Sequence, residues 1–572
     1  QLPRLGLTGF DVSTGDQLSF QGWVDANSWY GDLIAFPIDA TGHTNPAERL
    51  WSASDVFRTL QACGNGSMSD PATSSLTYYD AGRIIVTRNT LTSLNVPFRW
   101  ASLSAAQQSS IGGATTGPMI LNFVRGDRIN EKKQTVQAGD GSFTYQCGVS
   151  TGIFRSRTSL LGDVVHSRPI YVGAPPADYL FDSYQTFKTS NASRAPRVYI
   201  GANDGMMHAF DTATGKEAWA YVPSMLIGKL NSLTDFPYTH TFFIDGGSTV
   251  GDVNFGTTLS PDWRTVLVGG LGAGGKGLFA LDVTNTAAAT ETATAAKILW
   301  EITPSSTGFA NLGDTYGEPV IARLNTGQWA VIAGNGYNAI STGHAVLYII
   351  DIKTGALIKS LDTASGSVGS PNGLSSPLAV DIDFDTKVDR VYAGDINGNM
   401  WKFDISASSA SSWTAPGSAF YATGRSIVGA PDIAAHPIGG YLVYFATGRL
   451  FTTADATDAT VQNYAYGMWD GAPVANTATL TQTLTDVLYN GVINTRVSSA
   501  LPIVWSSSTI TPHKGWRTQL PAGERVLGTG FVRDGRYQFS AVNPTTINFT
   551  KPNGENWLFE LDYLTGGVGS RL

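Results

Sequence analysis

Four aspartates stand at positions 1, 3, 5 and 9 of the run Asp381-Ile382-Asp383-Phe384-Asp385-Thr386-Lys387-Val388-Asp389. Carboxylates at that spacing repel one another unless a cation sits among them. A hard divalent cation such as Ca2+ takes about 6–8 oxygen ligands at flexible angles. Positions 1, 3 and 5 are side-chain ligand positions of an EF-hand-type loop, and position 7 gives a backbone carbonyl. The expected ligands are therefore Asp381, Asp383, Asp385, the carbonyl of Lys387, and Asp389. Two positions depart from that loop: Thr386 stands where a turn glycine is usual, and Tyr392 where a bidentate Glu would be. Asp389 would supply the missing carboxylate. The alternative is an acidic turn held only by water.

Other chemistry leaves little local trace. No Gly-x-Ser-x-Gly elbow, His-Glu-x-x-His helix, phosphate loop or Cys-x-x-Cys pair occurs, so serine hydrolysis, zinc hydrolysis, nucleotide binding and dithiol chemistry lack their signatures. His43, His166, His208, His240, His344, His436 and His513 are scattered and read mostly as surface or turn residues. The glycine-rich run Gly269–Gly275 is followed by no helical pattern, so a hairpin tip is expected there rather than a phosphate cradle. Arg125-Gly126-Asp127 spells an integrin-binding tripeptide; the other reading is a turn with an Asp127–Arg128 interaction. Cys63 and Cys147 suit one disulfide in an oxidising compartment, with two free buried thiols as the alternative.

What must position the aspartates is a repeat. Val198–Asp211 reads as strand, Asn203-Asp204-Gly205 turn, strand, followed by a Thr214-Gly215 turn and Trp219. The same grammar recurs at Val266–Asp282, Val331–Asp351, Val391–Asp404, Val443–Asp470 and Trp557–Asp562, with an early copy at Asp32–Asp39. Small-x-Pro tripeptides at Ser167–Pro169, Gly317–Pro319, Ser375–Pro377 and Gly429–Pro431 open several copies, where a proline costs no ladder donor. Alternating apolar strands joined by glycine turns, about seven times over, predict an all-β chain built as one seven-bladed β-propeller domain across residues 1–572. Blades need about 40–50 residues, so insertions are expected at 60–165, after the first blade, and within 471–555. Asp55–Ala62 and Ser104–Ser110 read as short helical turns, and Glu131–Gly141 as a polar loop. Insertions on a rigid ring are where binding surfaces gather.

Composition agrees. Charged residues are 14% of the chain and glycines number 64 of 572, the balance of strands and tight turns. A net charge of −8 argues against a nucleic-acid partner. No apolar run reaches the 18 or so residues of a membrane span. The first residue is Gln1 rather than Met, as expected of a processed or trimmed product.

Two resemblances follow from these residues. Ala209–Trp219 resembles the tryptophan docking motif of quinoprotein dehydrogenase propellers, which carry pyrroloquinoline quinone and Ca2+; its physical role is to fix blade stacking, and Cys63 and Cys147 are too far apart for that family's vicinal pair. Val124–Glu131, Arg157–Pro169, Ala333–Asn338, Leu378–Asp385 and Arg390–Asp404, in order along nearly the whole chain, resemble the C-terminal domain of the PilC/PilY type IV pilus tip-adhesin family. That resemblance implies a modified seven-bladed propeller with Ca2+ in one blade loop, the ligands falling on Asp381, Asp383, Asp385, Lys387 and Asp389. It implies a non-enzymatic protein at the pilus tip, secreted or associated with the outer membrane. The expected roles are pilus assembly, retraction control, adhesion and twitching motility. The expected partners are major or minor pilins and a host or abiotic surface ligand. Such proteins also carry a variable N-terminal region that this sequence does not include. A quinone-dependent dehydrogenase and a passive docking scaffold are the competing expectations.

Overall fold

The computed structural model describes residues 4–6, 18–25, 28–39, 43–61, 77–137, 144–473, 475–489, 492–506, 509–546 and 555–568. The chain packs as two compact units, Gln1–Phe309 with Asp314–Tyr316 and Asp351–Ala356, and Ala310–Gly313 with Gly317–Ile350 and Leu357–Leu572.

Each sequence repeat falls in its own sheet. In the first unit, the first sheet runs Arg4–Gly6, Leu18–Asp25, Tyr30–Pro37, Trp51–Ser52. The second contains Ile170–Val172, Arg197–Gly201, Met207–Asp211 and Glu217–Tyr221, and the third Ser248–Asn254, Trp263–Gly270, Leu278–Asp282 and Ile298–Ile302. In the second unit, the fourth sheet runs from Val320–Arg323 to Leu357–Gly366 and the fifth from Leu374–Val380 to Tyr421–Ala422. The sixth begins at Asp432–Ala435, and the seventh joins Phe531–Arg533, Arg536–Asn543 and Glu555–Asp562. Strands that follow one another in a sheet pair antiparallel, for example Arg390↔Asp404 through Gly394↔Met400.

Period-two geometry sends successive side chains to opposite faces of a strand, and here both faces are covered. In the second sheet, Val198 and Ile200 join Phe20, Leu33 and Trp51 of the first sheet, while Tyr199 between them joins Leu267, Phe279 and Leu281 of the third. In the fifth sheet, Val391 packs with Ile332 and Leu347 of the fourth, and Tyr392 with Val443 and Phe445 of the sixth. The inner strands are therefore buried almost residue by residue rather than alternately.

A tryptophan latch recurs between sheets. Three turns share the pattern Asp-x-x-Thr-Gly: Asp211–Gly215, Asp351–Gly355 and Asp562–Gly566. In each the Asp Oδ1 accepts from the Thr Oγ1, at 2.9, 2.7 and 2.9 Å. The indole N–H of Trp51, Trp300 or Trp516 donates to the carbonyl of the turn's second residue, Thr212, Ile352 or Tyr563, at 2.8, 2.9 and 3.1 Å. The ring lies over the glycine, whose φ is +69°, +73° or +67°. A side chain there would strike the ring, and L-residues avoid that backbone region. The turn of the Ala209–Trp219 motif thus docks a tryptophan, but the ring is Trp51 rather than the motif's own Trp219, and the turns at Asp351 and Asp562 repeat the turn without a following Trp.

The described residues of the 60–165 insertion, and those just before it, form helices and strands. A helix spans Ala53–Leu60, capped by the Ser52 hydroxyl, and Ser104 starts Ala105–Ile111 through a reciprocal capping box with Gln107. A longer helix, Gly113–Arg125, was not expected. Strand Ile85–Arg88 adds parallel to Glu217–Tyr221, extending the second sheet. Gln134–Gln137 pairs with Thr144–Cys147, so the stretch read as a polar loop holds a hairpin strand. In the 471–555 region, the fourth strand of the sixth sheet, His513–Gln519, returns only after Ala478–Gln482 and the hairpin Leu484–Tyr489/Val492–Ser498. Among the described residues no helix is long and apolar enough to cross a membrane.

Candidate metal centre

The aspartate run forms the turn between strands Leu374–Val380 and Arg390–Asp395 of the fifth sheet. Its base is braced against the fourth sheet. The Val388 N–H donates to the Arg323 carbonyl at 2.9 Å, and Leu324 and Val388 form a parallel bridge. The Asn325 amide donates to the Val388 carbonyl at 3.0 Å and to Asp389 Oδ1 at 3.1 Å.

Asp381, Asp383 and Asp385 each turn a carboxylate oxygen to a common point, all within 4.8 Å of one another. Oxygens bound to one Ca2+ at about 2.3–2.6 Å lie no farther apart than about 5 Å, so the donor set fits a hard divalent cation. The loop curls around this point by backbone donation. Thr386 N–H reaches Asp381 Oδ2 at 2.7 Å, and Asp385 N–H reaches Asp381 Oδ1 at 3.2 Å. Thr386, at the glycine position, adopts φ +72°, and Phe384 adopts φ +62° with its ring exposed. Each such conformation costs about 1–2 kcal/mol in an L-residue, so the sequence keeps the shape that glycine would take at Thr386 and accepts the strain.

One expected ligand sits differently. Asp389 stands outside the three-carboxylate group and is nearly buried. Its Oδ2 accepts the Ile382 N–H at 2.8 Å, which ties the two ends of the loop together. The Lys387 side chain lies with its ammonium on Asp385. That hydrogen bond holds the Asp385 carboxyl below its usual range, and a metal ion entering the group would compete with it.

The other candidates are placed as follows. Arg125 is fully buried at the end of helix Gly113–Arg125, donating to the Phe98 carbonyl at 3.0 Å and pairing with Glu291 at 3.0 Å. Its guanidinium is enclosed by the fold, so Arg125-Gly126-Asp127 does not form an exposed recognition tripeptide. The Asp127 carboxylate accepts the Ile129 N–H at 3.1 Å and also bonds the Arg128 backbone, while the Arg128 guanidinium pairs with Glu131 at 3.1 Å. Cys147 is fully buried and no free thiol stands among the described residues; Cys63 lies outside them.

Two histidines read as surface residues are interior: His208 and His436 are 0% and 4% exposed. His208 Nδ1 lies 2.7 Å from Glu217, and its Nε2 lies 3.1 Å from Asp204. Arg83, from the insertion, pairs with Glu217 at 2.6 Å. Burial pushes the imidazole down, but the two carboxylates outweigh it and hold His208 up to about 9. Burial pushes Glu217 up, but Arg83 and His208 outweigh it and hold it down to about 2. This network fastens the insertion to the second sheet. No sequence spacing announced it, because Arg83 and Glu217 lie 134 residues apart.

Comparison with known proteins agrees with this architecture. The family described as the PilY1 beta-propeller domain matches residues 161–500. The chain belongs to that family. The type IV pilus biogenesis factor PilY1 of Pseudomonas aeruginosa strain PAK is 34% identical over 99% of this chain and 50% of its own length. A PilY1 homolog of Xylella fastidiosa is 32% identical over 96% of this chain and 39% of its own length. The chain therefore spans about half the length, or less, of the curated relatives it matches. The crystal structure of the P. aeruginosa PilY1 C-terminal domain superposes with a TM-score of 0.58 at 33% identity, covering 70% of this chain and 87% of that one. The sheets described above are accordingly those of an all-β propeller domain of the PilY1 type.

Proposed function

We propose that this chain is a calcium-binding propeller that acts, without catalysis, in type IV pilus biogenesis at the cell surface. Its site of action is the pilus tip, in contact with pilins and an external surface. The carrying observation is the convergence of Asp381, Asp383 and Asp385 within 4.8 Å, in a domain whose relatives are named pilus biogenesis factors. The three carboxylates would hold Ca2+ through hard oxygen donors. Bound, the ion would neutralise their repulsion and stiffen the turn between the first two strands of the fifth sheet. The loop is exposed at its acidic tip and braced at its base, as suits a switch that changes a surface rather than a Lewis acid in a channel. The strained Thr386 and the absence of a Glu at position 12 favour moderate affinity, matched to the higher calcium outside a cell. The Asp211–Gly215 turn of the motif that suggested a quinone enzyme serves here to dock Trp51 of the neighbouring sheet, a structural role.

The test is calcium titration calorimetry on the chain and on Asp381→Ala/Asp385→Ala, alongside pilus counts and twitching zones in cells carrying the same variant of the full-length protein. Loss of binding together with altered piliation supports the reading. Binding that survives the double substitution sinks the site. Lost binding with unchanged piliation and twitching sinks the role.

A further inference from the structure

At the other end of strand Arg390–Asp395, opposite the aspartate turn, the second unit opens a cleft of about 280 Å³. It lies between the Ile396-Asn397 turn and Gly424–Ser426 of the fifth-sheet region and the Gly448–Asn463 segment of the sixth. Three guanidiniums line it, Arg425, Arg449 and Arg525, with two carboxylates, Asp455 and Asp458.

The charges are unequally engaged. Arg449 Nε donates to Asp455 at 2.8 Å, and Asp455 also accepts the N–H groups of Phe451 and Thr452 at 3.0 Å. Asp458 accepts the Thr460 N–H and hydroxyl at 2.8 Å. Arg525 is 2% exposed, yet it donates to two carbonyls, Gly523 at 2.9 Å and Asp458 at 2.8 Å. Among the described residues no carboxylate lies within ion-pair distance of it, although Asp458 and Asp455 are near enough to act on its charge. Arg425 is exposed, and its guanidinium makes no hydrogen bond or ion pair among the described residues. The same holds for the side-chain amide of Asn397. The direct hydrogen bonds of Arg525 go only to neutral carbonyls, so Asp458 and Asp455 offset its buried charge from a distance and an anion in the open cleft would complete it.

We propose that this cleft is a binding site for a small carboxylate-bearing ligand, seated on Arg425 and Arg525 with Asn397 reading an adjacent hydroxyl or amide. Guanidinium forks match a planar carboxylate. Three guanidiniums against two carboxylates leave one positive charge in excess, which complements a monoanion. A phosphate dianion would meet Asp455 and Asp458 across the same wall. The volume is at the lower end of small-molecule sites, about 300–1,000 Å³, so one sugar ring or one residue fits. Such a carboxylate could belong to an acidic sugar or to the end of a peptide.

The inference goes beyond the pilus and calcium reading and does not rest on it, since the purified chain suffices to test it. Titrate the chain by calorimetry with D-glucuronate, with the tripeptide Ala-Ala-Ala, with D-glucose and with inorganic phosphate, then repeat with Arg425→Gln. Arg425 is a surface residue, and unchanged circular dichroism confirms that the variant folds. The expected result is saturable binding of at least one carboxylate, no binding of glucose, and a loss of about tenfold in Arg425→Gln. The tighter of glucuronate and tripeptide then identifies the source of the carboxylate. The proposal is overturned if neither carboxylate binds, if Arg425→Gln leaves affinity unchanged, or if phosphate binds more tightly than both.

Discussion

Replacing Gly355 by Ala tests whether the tryptophan latch carries stability. Gly355 has φ +73°, and a Cβ built there would lie 2.7 Å from Trp300 Cγ, 2.9 Å from Cδ2 and 3.0 Å from Cβ. Alanine in the left-handed region costs about 1–2 kcal/mol, and overpacking against a fixed ring adds about 1–3 kcal/mol. The sum is about 2–5 kcal/mol. Gly113, in the same compact unit, has nearly the same φ, +68°, with nothing within 4 Å of its missing Cβ. Gly113→Ala should therefore cost only the backbone part. The excess of Gly355→Ala over Gly113→Ala, about 1–3 kcal/mol, measures the latch. A second route removes the ring. In a Trp300→Leu background, Gly355→Ala should lose that excess and appear as a coupling energy of the same size. Urea unfolding followed by circular dichroism gives the numbers, read as shifts of each transition because a chain of two compact units need not unfold in one step. Equal costs for Gly355→Ala and Gly113→Ala, or strict additivity with Trp300→Leu, would refute the idea that the ring and the glycine turn act as one latch.

Two further outcomes follow from the buried network and the acidic turn. His208 has its folded pKa raised from 6.5 to about 9, so its contribution is fully present below pH 6.5 and is lost as pH rises toward 9. Glu217 is lowered from 4.5 to about 2, so its contribution is present above pH 4.5 and is lost as pH falls toward 2. Stability of the native chain should decline on both sides of that window, and His208→Gln should flatten the alkaline side while costing about 3–5 kcal/mol at neutral pH; a native chain equally stable at pH 6.5 and 9 would contradict the network. Thr386→Gly should raise calcium affinity by up to about five- to thirtyfold, because glycine removes about 1–2 kcal/mol of left-handed strain that the loop must hold when liganded. Unchanged or weaker affinity would mean that this conformer is not the one that binds.

Much of the fold is written locally. Strands such as Val198–Gly201 and Val391–Gly394, and the Asp-x-x-Thr-Gly turns, announce themselves through side chains a few residues apart, and each repeat occupies its own sheet. The Asp381–Asp385 group was legible for the same reason: a turn brings positions 1, 3 and 5 together whatever surrounds it. Asp389 shares that local spacing yet serves to close the loop on Ile382 and Asn325, because the neighbouring sheet supplies partners that no spacing reveals.

What the sequence by itself determined, then, is the repeat, the strand grammar and the position of the acidic turn, since these depend on backbone periodicity and near neighbours. Tertiary structure alone decided which charges are buried and which are free. Arg125 looked like part of a surface tripeptide and lies inside a helix end. His208 looked peripheral and joins two carboxylates in the interior. Arg425 and Arg525, 100 residues apart in the chain, line one cleft. The physical reason is that desolvation and charge pairing depend on everything packed within a few ångströms, and in stacked sheets those neighbours come from distant parts of the chain.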